Sequence, residues 1–204
     1  MIGQLVTFEG IDGAGKSTHV EPAAAQVRAM HRPVVCTREP GGTPLAEQLR
    51  SLLLHAPMDG VSETLLLFAA RRDHIERVIA PALARGEVVL CDRFTDASFA
   101  YQGYGRGQSL ELLTQLETAV QGGLQPDLTL WFDIDPRVAA RRRADARAAD
   151  RFEAEDLAFF ERVASGYRAR MDQAPARIVR IDAGLPLGEV ARQVSAALRE
   201  RIHV

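Results

Sequence analysis

Apolar residues along the chain gather into five short runs, at 4–9, 33–37, 87–92, 127–133 and 177–182. Each has the length of a strand and is continuous rather than alternating, which is the pattern of parallel strands buried on both faces. Between the runs, apolar positions recur at helical spacing over about 16–30, 44–55, 62–84, 109–121, 136–146, 153–172 and 187–202. Strands alternating with helices predict an α/β fold, a three-layer domain with a five-stranded parallel sheet and helices on both faces. No repeat, low-complexity tract or linker divides the 204 residues, so positions 1–204 are read as one domain.

In such a sheet, ligands bind beyond the carboxyl ends of the strands. The segments that follow the runs are 10–18, 38–43, 92–102, 133–136 and 182–184, and the first three are rich in reactive side chains. Directly after the first run comes Gly10-Ile11-Asp12-Gly13-Ala14-Gly15-Lys16-Ser17-Thr18. It fits G-x-x-x-x-G-K-[ST] between a strand and a helix, the context this phosphate-binding motif requires. The glycines free the backbone to turn several N–H groups toward one anion, and the helix N-terminus adds to the field. Lys16 then reaches the outer phosphates of a nucleoside triphosphate, and the Ser17 hydroxyl completes a Mg²⁺ shell.

Composition narrows the class. Of 25 basic residues only Lys16 is lysine, which marks a place where a compact ammonium is required. The net charge of -2 lacks the basic excess of a non-specific nucleic-acid binder, so no nucleic-acid partner is expected. A mean hydropathy of -0.09, no 18-residue apolar run and no secretory signal at the N-terminus predict a cytoplasmic protein without a membrane partner. Cys36 and Cys91 lie inside apolar runs and read as buried thiols, and the five histidines lack zinc-site spacing. Asn-Lys-x-Asp, a guanine-recognition signal, is absent, and Asp92 is followed by Arg93 rather than Glu. Both features favour a small-molecule phosphotransferase over a switch, a motor or a nucleic-acid-dependent ATPase.

Four segments carry a family resemblance. They are Phe8-Glu9-Gly10 through Thr18, then Thr37-Arg38-Glu39-Pro40-Gly41-Gly42-Thr43, then Leu67-Phe68-Ala69-Ala70-Arg71-Arg72, and Asp92-Arg93-Phe94 running through Ser98 to Ala100-Tyr101-Gln102-Gly103. In this order and spacing the chain resembles the thymidylate kinases, within the P-loop nucleoside-monophosphate kinases. The likeness extends over essentially the whole chain. It implies ATP- and Mg²⁺-dependent phosphorylation of dTMP to dTDP, feeding dTTP synthesis, by a homodimer whose interface involves the helix around 62–84. A kinase for another pyrimidine nucleotide or nucleoside is the alternative.

The resemblance also implies roles. Phe68 is the platform on which thymine stacks, and Arg72, one helical turn on, hydrogen-bonds a base carbonyl. Without the resemblance, Phe68 reads as a core aromatic and Arg72 as a surface partner for Glu76. Arg93 is expected to hold the acceptor phosphate, although Asp92 and Arg93 also read as a structural ion pair. Ser98 meets the base ring nitrogen, Tyr101 crowds the sugar 2′ position and Gln102 adds a base contact. Arg38, Glu39, Pro40 and Arg50 form the wall around sugar and phosphate. Asp12 lies near the sugar hydroxyl and, with Ser17 and Asp92, near the metal. Phe94 stands where many relatives carry Tyr. The run Gly103-x-Gly105-x-Gly107 reads as a flexible loop.

Six arginines lie between Arg137 and Arg151. Arg143, Arg147 and Arg151 are four apart and share a helical face. A solvated basic helix is the plain reading. The resemblance makes it a lid, about 137–153, that delivers a cation to the transferring phosphoryl group. Gly13 stands where one class of relatives has a loop arginine, which assigns this chain to the lid-arginine class. No protein nucleophile is needed, because the acceptor phosphate oxygen is itself one. Lys16, Asp12, Arg93 and an arginine among Arg143, Arg147 and Arg151 are the expected catalytic groups.

Overall fold

Five parallel strands pair in the order β2-β3-β1-β4-β5. They are β1 (Gln4–Glu9), β2 (Val34–Arg38), β3 (Val88–Asp92), β4 (Leu128–Asp133) and β5 (Ile178–Asp182) in a computed structural model that describes residues 2–144, 151–153 and 155–203, with only the backbone at 143–144. The expected five-stranded parallel sheet is therefore present. In the register, Val6 stands between Leu90 and Leu128, so the same face repeats across the three central strands. These strands are buried throughout, apart from their last residues in β3 and β4, as their continuous apolar runs predict. Edge strand β2 is not. It alternates between half-buried and exposed, so Cys36 is exposed and only Cys91 is the expected buried thiol.

The helices are α1 (Lys16–Ala29), α2 (Pro44–His55), α3 (Gly60–His74), α4 (Ala80–Ala84), α5 (Thr95–Ser98), α6 (Leu110–Gln121), α7 (Pro136–Ala144), α8 (Leu157–Gln173) and α9 (Leu187–Arg201). Side-chain caps set several starts, because the first N–H groups of a helix lack intrahelical partners. Thr43 accepts from Ala46 N at 3.0 Å, and Asp156 accepts from Phe159 N at 2.7 Å. The Asp156 cap starts α8 four residues later than periodicity alone predicts. A π-helical turn, Ile75–Ile79, joins α3 to α4.

One sheet face packs Val6, Phe8, Leu90 and Leu130 against Ala24 and Val27 of α1 and Val194 and Leu198 of α9. The other packs Leu5, Val89 and Cys91 against Ile75 and Ile79. This second face also carries a buried polar seam. The hydroxyls of Thr7 and Thr129 lie 2.8 Å apart across the β1–β4 pair. Asp96, 1% exposed, receives two hydrogen bonds from Arg177 at 2.7 and 2.8 Å and one from Arg170 at 2.7 Å. Burial pushes the Asp96 carboxyl up, but its bonds to Arg177 and the two guanidinium charges outweigh that and hold it below its ordinary range. The seam pins α5 to α8 and to the start of β5.

The chain after α5 continues as a π-helix, Phe99–Gly105, against α8. A Cβ at Gly105 would meet Phe159 Cε2 at 2.7 Å, and one at Gly166 would meet Ala100 Cα at 2.8 Å. The glycine run is therefore helical through Gly105 and not the flexible loop expected. At Gly105 the missing side chain allows close helix packing rather than motion. Among the described residues no helix is long and apolar enough to cross a membrane.

Asp96→Ala leaves two arginines facing a carboxylate-free pocket. It should lower unfolding stability by about 3 kcal/mol, read as a fall in the urea midpoint at unchanged slope. A shift below about 0.5 kcal/mol would show that the seam holds no such energy.

Candidate active site

At the end of β1 the chain curls through Gly10, Gly13 and Gly15, with φ of +137°, +86° and +86°. A side chain at Gly10 would bring Cβ to 2.5 Å from the Phe132 carbonyl oxygen. Gly15 precedes α1 in the left-handed conformation and no side chain caps that helix, so its first amides are left for an anion. Lys16 Nζ folds back to donate to the carbonyls of Gly10 and Ile11 at 3.0 and 3.2 Å. Burial, and then the Arg93 charge, lower its ammonium from 10.5 to about 8. Gly13, Gly15, Lys16, Ser17, Asp92 and Arg38 line a cleft of about 690 Å³ here. Ile11 and Ala14 are buried beneath the loop, and Thr18 is exposed in the first turn of α1.

A second cleft, of about 620 Å³, opens beside the first, and Asp12, Glu39, Arg50 and Arg93 line both. Arg93 sits at the junction with φ +69°, a left-handed backbone that costs a non-glycine residue of order 1 kcal/mol or more. Its guanidinium repays the strain with contacts on every side. It donates to Asp12 Oδ1 at 2.5 Å, the Gly10 carbonyl at 3.0 Å and the hydroxyls of Tyr101 and Tyr167 at 3.2 Å. The Tyr101 hydroxyl donates to the other Asp12 oxygen at 2.9 Å. Burial would raise the Asp12 carboxyl, but Arg93 and Lys16 hold it well below the usual carboxylate range. The ion pair at this strand end is thus Arg93–Asp12, not Arg93–Asp92.

Glu9 supports this junction from below. Its Oε1 accepts from the amides of Phe94 at 2.7 Å and Ala97 at 3.3 Å, and its Oε2 from Tyr167 Oη at 2.9 Å. Burial, and then the Asp96 charge, raise this carboxyl to about 7. Glu9 and Tyr167 were invisible as site residues in the sequence, since one ends a strand and the other lies in a distant helix.

The second cleft corrects two expectations on α3. Arg71, not Arg72, lines it. Arg71 Nε donates to Glu39 Oε2 at 2.7 Å, while Nη2 donates to the Phe94 carbonyl at 3.1 Å and Ser98 Oγ at 2.9 Å. Its Nη1 is buried with no hydrogen-bond partner among the described residues. Arg72 points to the surface, where it pairs with Glu76 at 2.7 Å and donates to the Val120 carbonyl. One residue along a helix is a 100° rotation, so only one of two adjacent arginines can face the cleft. Phe68 is likewise absent from the cleft wall. It packs with Phe99 and Leu113 and lies under the Arg71 guanidinium at 4.9 Å, while Leu67 faces the cleft. Buried positions at Thr64, Phe68, Arg71 and Ile75 trace one helical stripe, a periodicity that marks Arg71 as the inward member of the pair.

Ser98, Tyr101, Gln102 and Pro40 line this cleft, and Phe94, which is not among the expected site residues, lines it too. Arg50 holds the Pro40 carbonyl at 2.9 Å, and Arg38 pairs with Glu47 at 3.0 Å. Glu39 is buried between Arg71 and His74, whose Nδ1 lies 3.0 Å from Glu39 Oε1. Of the expected catalytic arginines, Arg147 and the Arg143 side chain lie outside the described residues. Arg151 is turned away from the phosphate cleft. It pairs with Glu63 at 2.7 Å and donates to the Leu53 carbonyl at 3.0 Å, leaving Phe152 in the wall of the second cleft.

The sequence model of the thymidylate kinase family matches residues 8–194. The chain belongs to the thymidylate kinase family. It is 57% identical to the thymidylate kinase of Paracidovorax citrulli, over 98% of this chain and 94% of that one. With the thymidylate kinase of Teredinibacter turnerae it shares 54%, over 97% and 98% of the two chains. A crystal structure of thymidylate kinase from Ehrlichia chaffeensis superposes with a TM-score of 0.79 at 34% identity, over 97% of this chain and 99% of that one.

In this thymidylate kinase family member the Lys16 charge has a pH signature. An anion on the loop would restore the ammonium, so a triphosphate bound there is expected to take up protons above pH 8. Affinity should fall about tenfold between roughly pH 7.5 and 9, with close to one proton taken up at the upper end. Calorimetry in buffers of different ionisation enthalpy measures both quantities. Lys16→Met should abolish the uptake, and an unchanged uptake would place the titrating group elsewhere.

Proposed function

We propose that the two adjoining clefts hold ATP and dTMP, and that the protein transfers the ATP γ-phosphoryl group to the dTMP phosphate. Membership of the family makes the protein a phosphotransferase acting on dTMP, with ATP as donor. The observation that carries the site assignment is the junction: Arg93 and Asp12 belong to both clefts, where an acceptor phosphate would meet a donor phosphate. An oxygen of the dTMP phosphate attacks the γ-phosphorus, the bond from that phosphorus to the β-bridging oxygen breaks, and dTDP and ADP result. Lys16 and the α1 amides hold the donor phosphates, Arg93 orients the acceptor phosphate, and their fixed charges meet the charge that spreads over the transferring oxygens.

Tyr101, held on Asp12 at 2.9 Å in the wall of the second cleft, would exclude a ribose 2′-hydroxyl. Arg71 Nη1 is the donor aimed at a base carbonyl, with Ser98 and Gln102 beside it. Magnesium fits the donor set. Asp92 Oδ1 is buried without a hydrogen-bond partner and shares the phosphate cleft with Ser17, while both Asp12 oxygens are engaged by Arg93 and Tyr101. Ser17 and Asp92 would therefore hold the ion, with Asp12 on the acceptor side. Bound there, magnesium neutralises and orients the donor phosphates.

A homodimer through α3 is supported by Val61 and Leu65, exposed one helical turn apart at 46% and 50%, and by exposed Leu110 on α6. Leu65→Glu should convert a dimer to a monomer in light scattering, and a wild-type monomer at micromolar concentration would remove this part.

ADP release measured with dTMP, dUMP, dCMP, dGMP, AMP and no acceptor tests the reaction. Strong turnover with dTMP and almost none without acceptor is expected, whereas acceptor-independent hydrolysis or a purine preference would overturn the reading. Lys16→Ala should lower kcat by about 10³. Arg71→Met should raise the KM for dTMP about 10- to 100-fold, while Arg72→Met changes it less than about twofold. The reverse ranking would restore Arg72 to the site.

A further inference from the structure

Glu63 lies on α3 with no exposed surface, outside the residues that line either cleft. Its Oε1 accepts from Gln102 Nε2 at 2.7 Å. Its Oε2 faces two guanidinium groups, Arg151 at 2.7 Å and Arg106 at 3.5 Å. Flanked by two cations, the carboxylate offers acceptors only, so the Gln102 amide must turn its nitrogen toward it. The Gln102 oxygen is then the polar atom left for the cleft, and it takes part in no hydrogen bond among the described residues. An amide free to rotate about its last bond would present nitrogen or oxygen with nearly equal ease.

We propose that Glu63 is a positioning residue for base selection: it fixes Gln102 as a hydrogen-bond acceptor in the cleft. Arg71 presents a donor in the same cleft, so the pair offers one donor and one acceptor. That pattern complements the carbonyl and ring N–H of a pyrimidine-2,4-dione. A 4-aminopyrimidine reverses both groups and meets donor with donor and acceptor with acceptor. Arg151 belongs to this arrangement as the cation that pairs with Glu63 and holds it turned toward Gln102, instead of serving the transferring phosphoryl group. Arg106 extends the clamp, pairing with Glu155 at 2.5 Å beside the Arg151–Phe152 shoulder.

The inference rests on the dTMP reading, and the test separates the two. Kinetics with dTMP and dCMP are compared for wild type, Glu63→Gln, Gln102→Met and the double variant, alongside ATP KM and thermal unfolding. Glu63→Gln is nearly isosteric but can accept or donate, so it releases the amide. The dTMP-over-dCMP ratio of kcat/KM should narrow about tenfold or more, with ATP KM unchanged. In the Gln102→Met background the same substitution should leave the ratio unmoved, because there is no amide to orient. An unchanged ratio in Glu63→Gln, or an equal change in both backgrounds, would overturn the proposal. If Glu63→Gln does not fold, Glu63→Asp draws the charge back one methylene and should move the ratio in the same direction; no movement there overturns the proposal equally. A wild-type protein that ignores dTMP would instead sink the reading beneath it. Arg151→Met discriminates the two roles of that residue. A narrowed base ratio is expected, whereas a loss of about 10³ in kcat at an unchanged ratio would return Arg151 to the phosphoryl group.

Discussion

The Arg93 guanidinium is the constraint on which the site depends. It stands where two clefts meet, in a backbone conformation that an arginine adopts only when its surroundings enforce it. Four elements of the fold converge to do so. The phosphate loop contributes Asp12 and the Gly10 carbonyl, the π-helix Tyr101, α8 Tyr167, and the end of β1 Glu9, which anchors the turn that follows Arg93. Remove any one of them and the guanidinium still has partners, but no longer in one geometry. In the proposed reaction, where the site holds charges and forms no covalent bond to the substrate, such fixity is the property that catalysis needs.

The second sheet face shows what that fixity demands. Its Thr7, Thr129 and Asp96 are polar groups placed where an apolar core would be simpler, and each must be matched by a partner. Asp96 is matched by Arg177 and Arg170, and in return α5 cannot drift relative to α8. The short helix that carries Ser98 into the cleft is thereby tied to two distant parts of the chain. The glycine contacts at Gly105 and Gly166 act in the same direction, bringing α8 against the π-helix with no side chain between to act as a cushion.

Much of this was readable in the residues. The five apolar runs became the five strands, and the phosphate loop lies where strand, glycines and helix predict. Arg93, Ser98, Tyr101 and Gln102 reach the cleft as the resemblance implies. Failures came where a single residue of register decides the outcome. Arg71 and Arg72 are chemically identical in sequence, and only the phase of the helix, set by the burial of Thr64 and Ile75, separates inward from outward. Phe68 differs, for it shares the buried stripe with Arg71 but packs against Phe99 and Leu113, and leaves the cleft wall to Leu67. Gly103 to Gly107 misled because glycine serves both flexible turns and tight packing, and the partner that distinguishes them, Phe159, lies far along the chain. Glu63 carried no signal at all, since its role exists only through Gln102 and Arg151, which are 39 and 88 positions away.

The preference for arginine has an effect beyond the chemistry of phosphates. With any chain terminus set aside, Lys16 is the sole primary amine of the protein, and it lines the phosphate-loop cleft with its ammonium lowered to about 8. A reagent selective for amines therefore has one address in the fold. Where other proteins scatter such labels over their surface, here the extent of modification is a direct gauge of how far the phosphate loop is open or filled, and the protein carries its own occupancy probe without any residue being engineered into it.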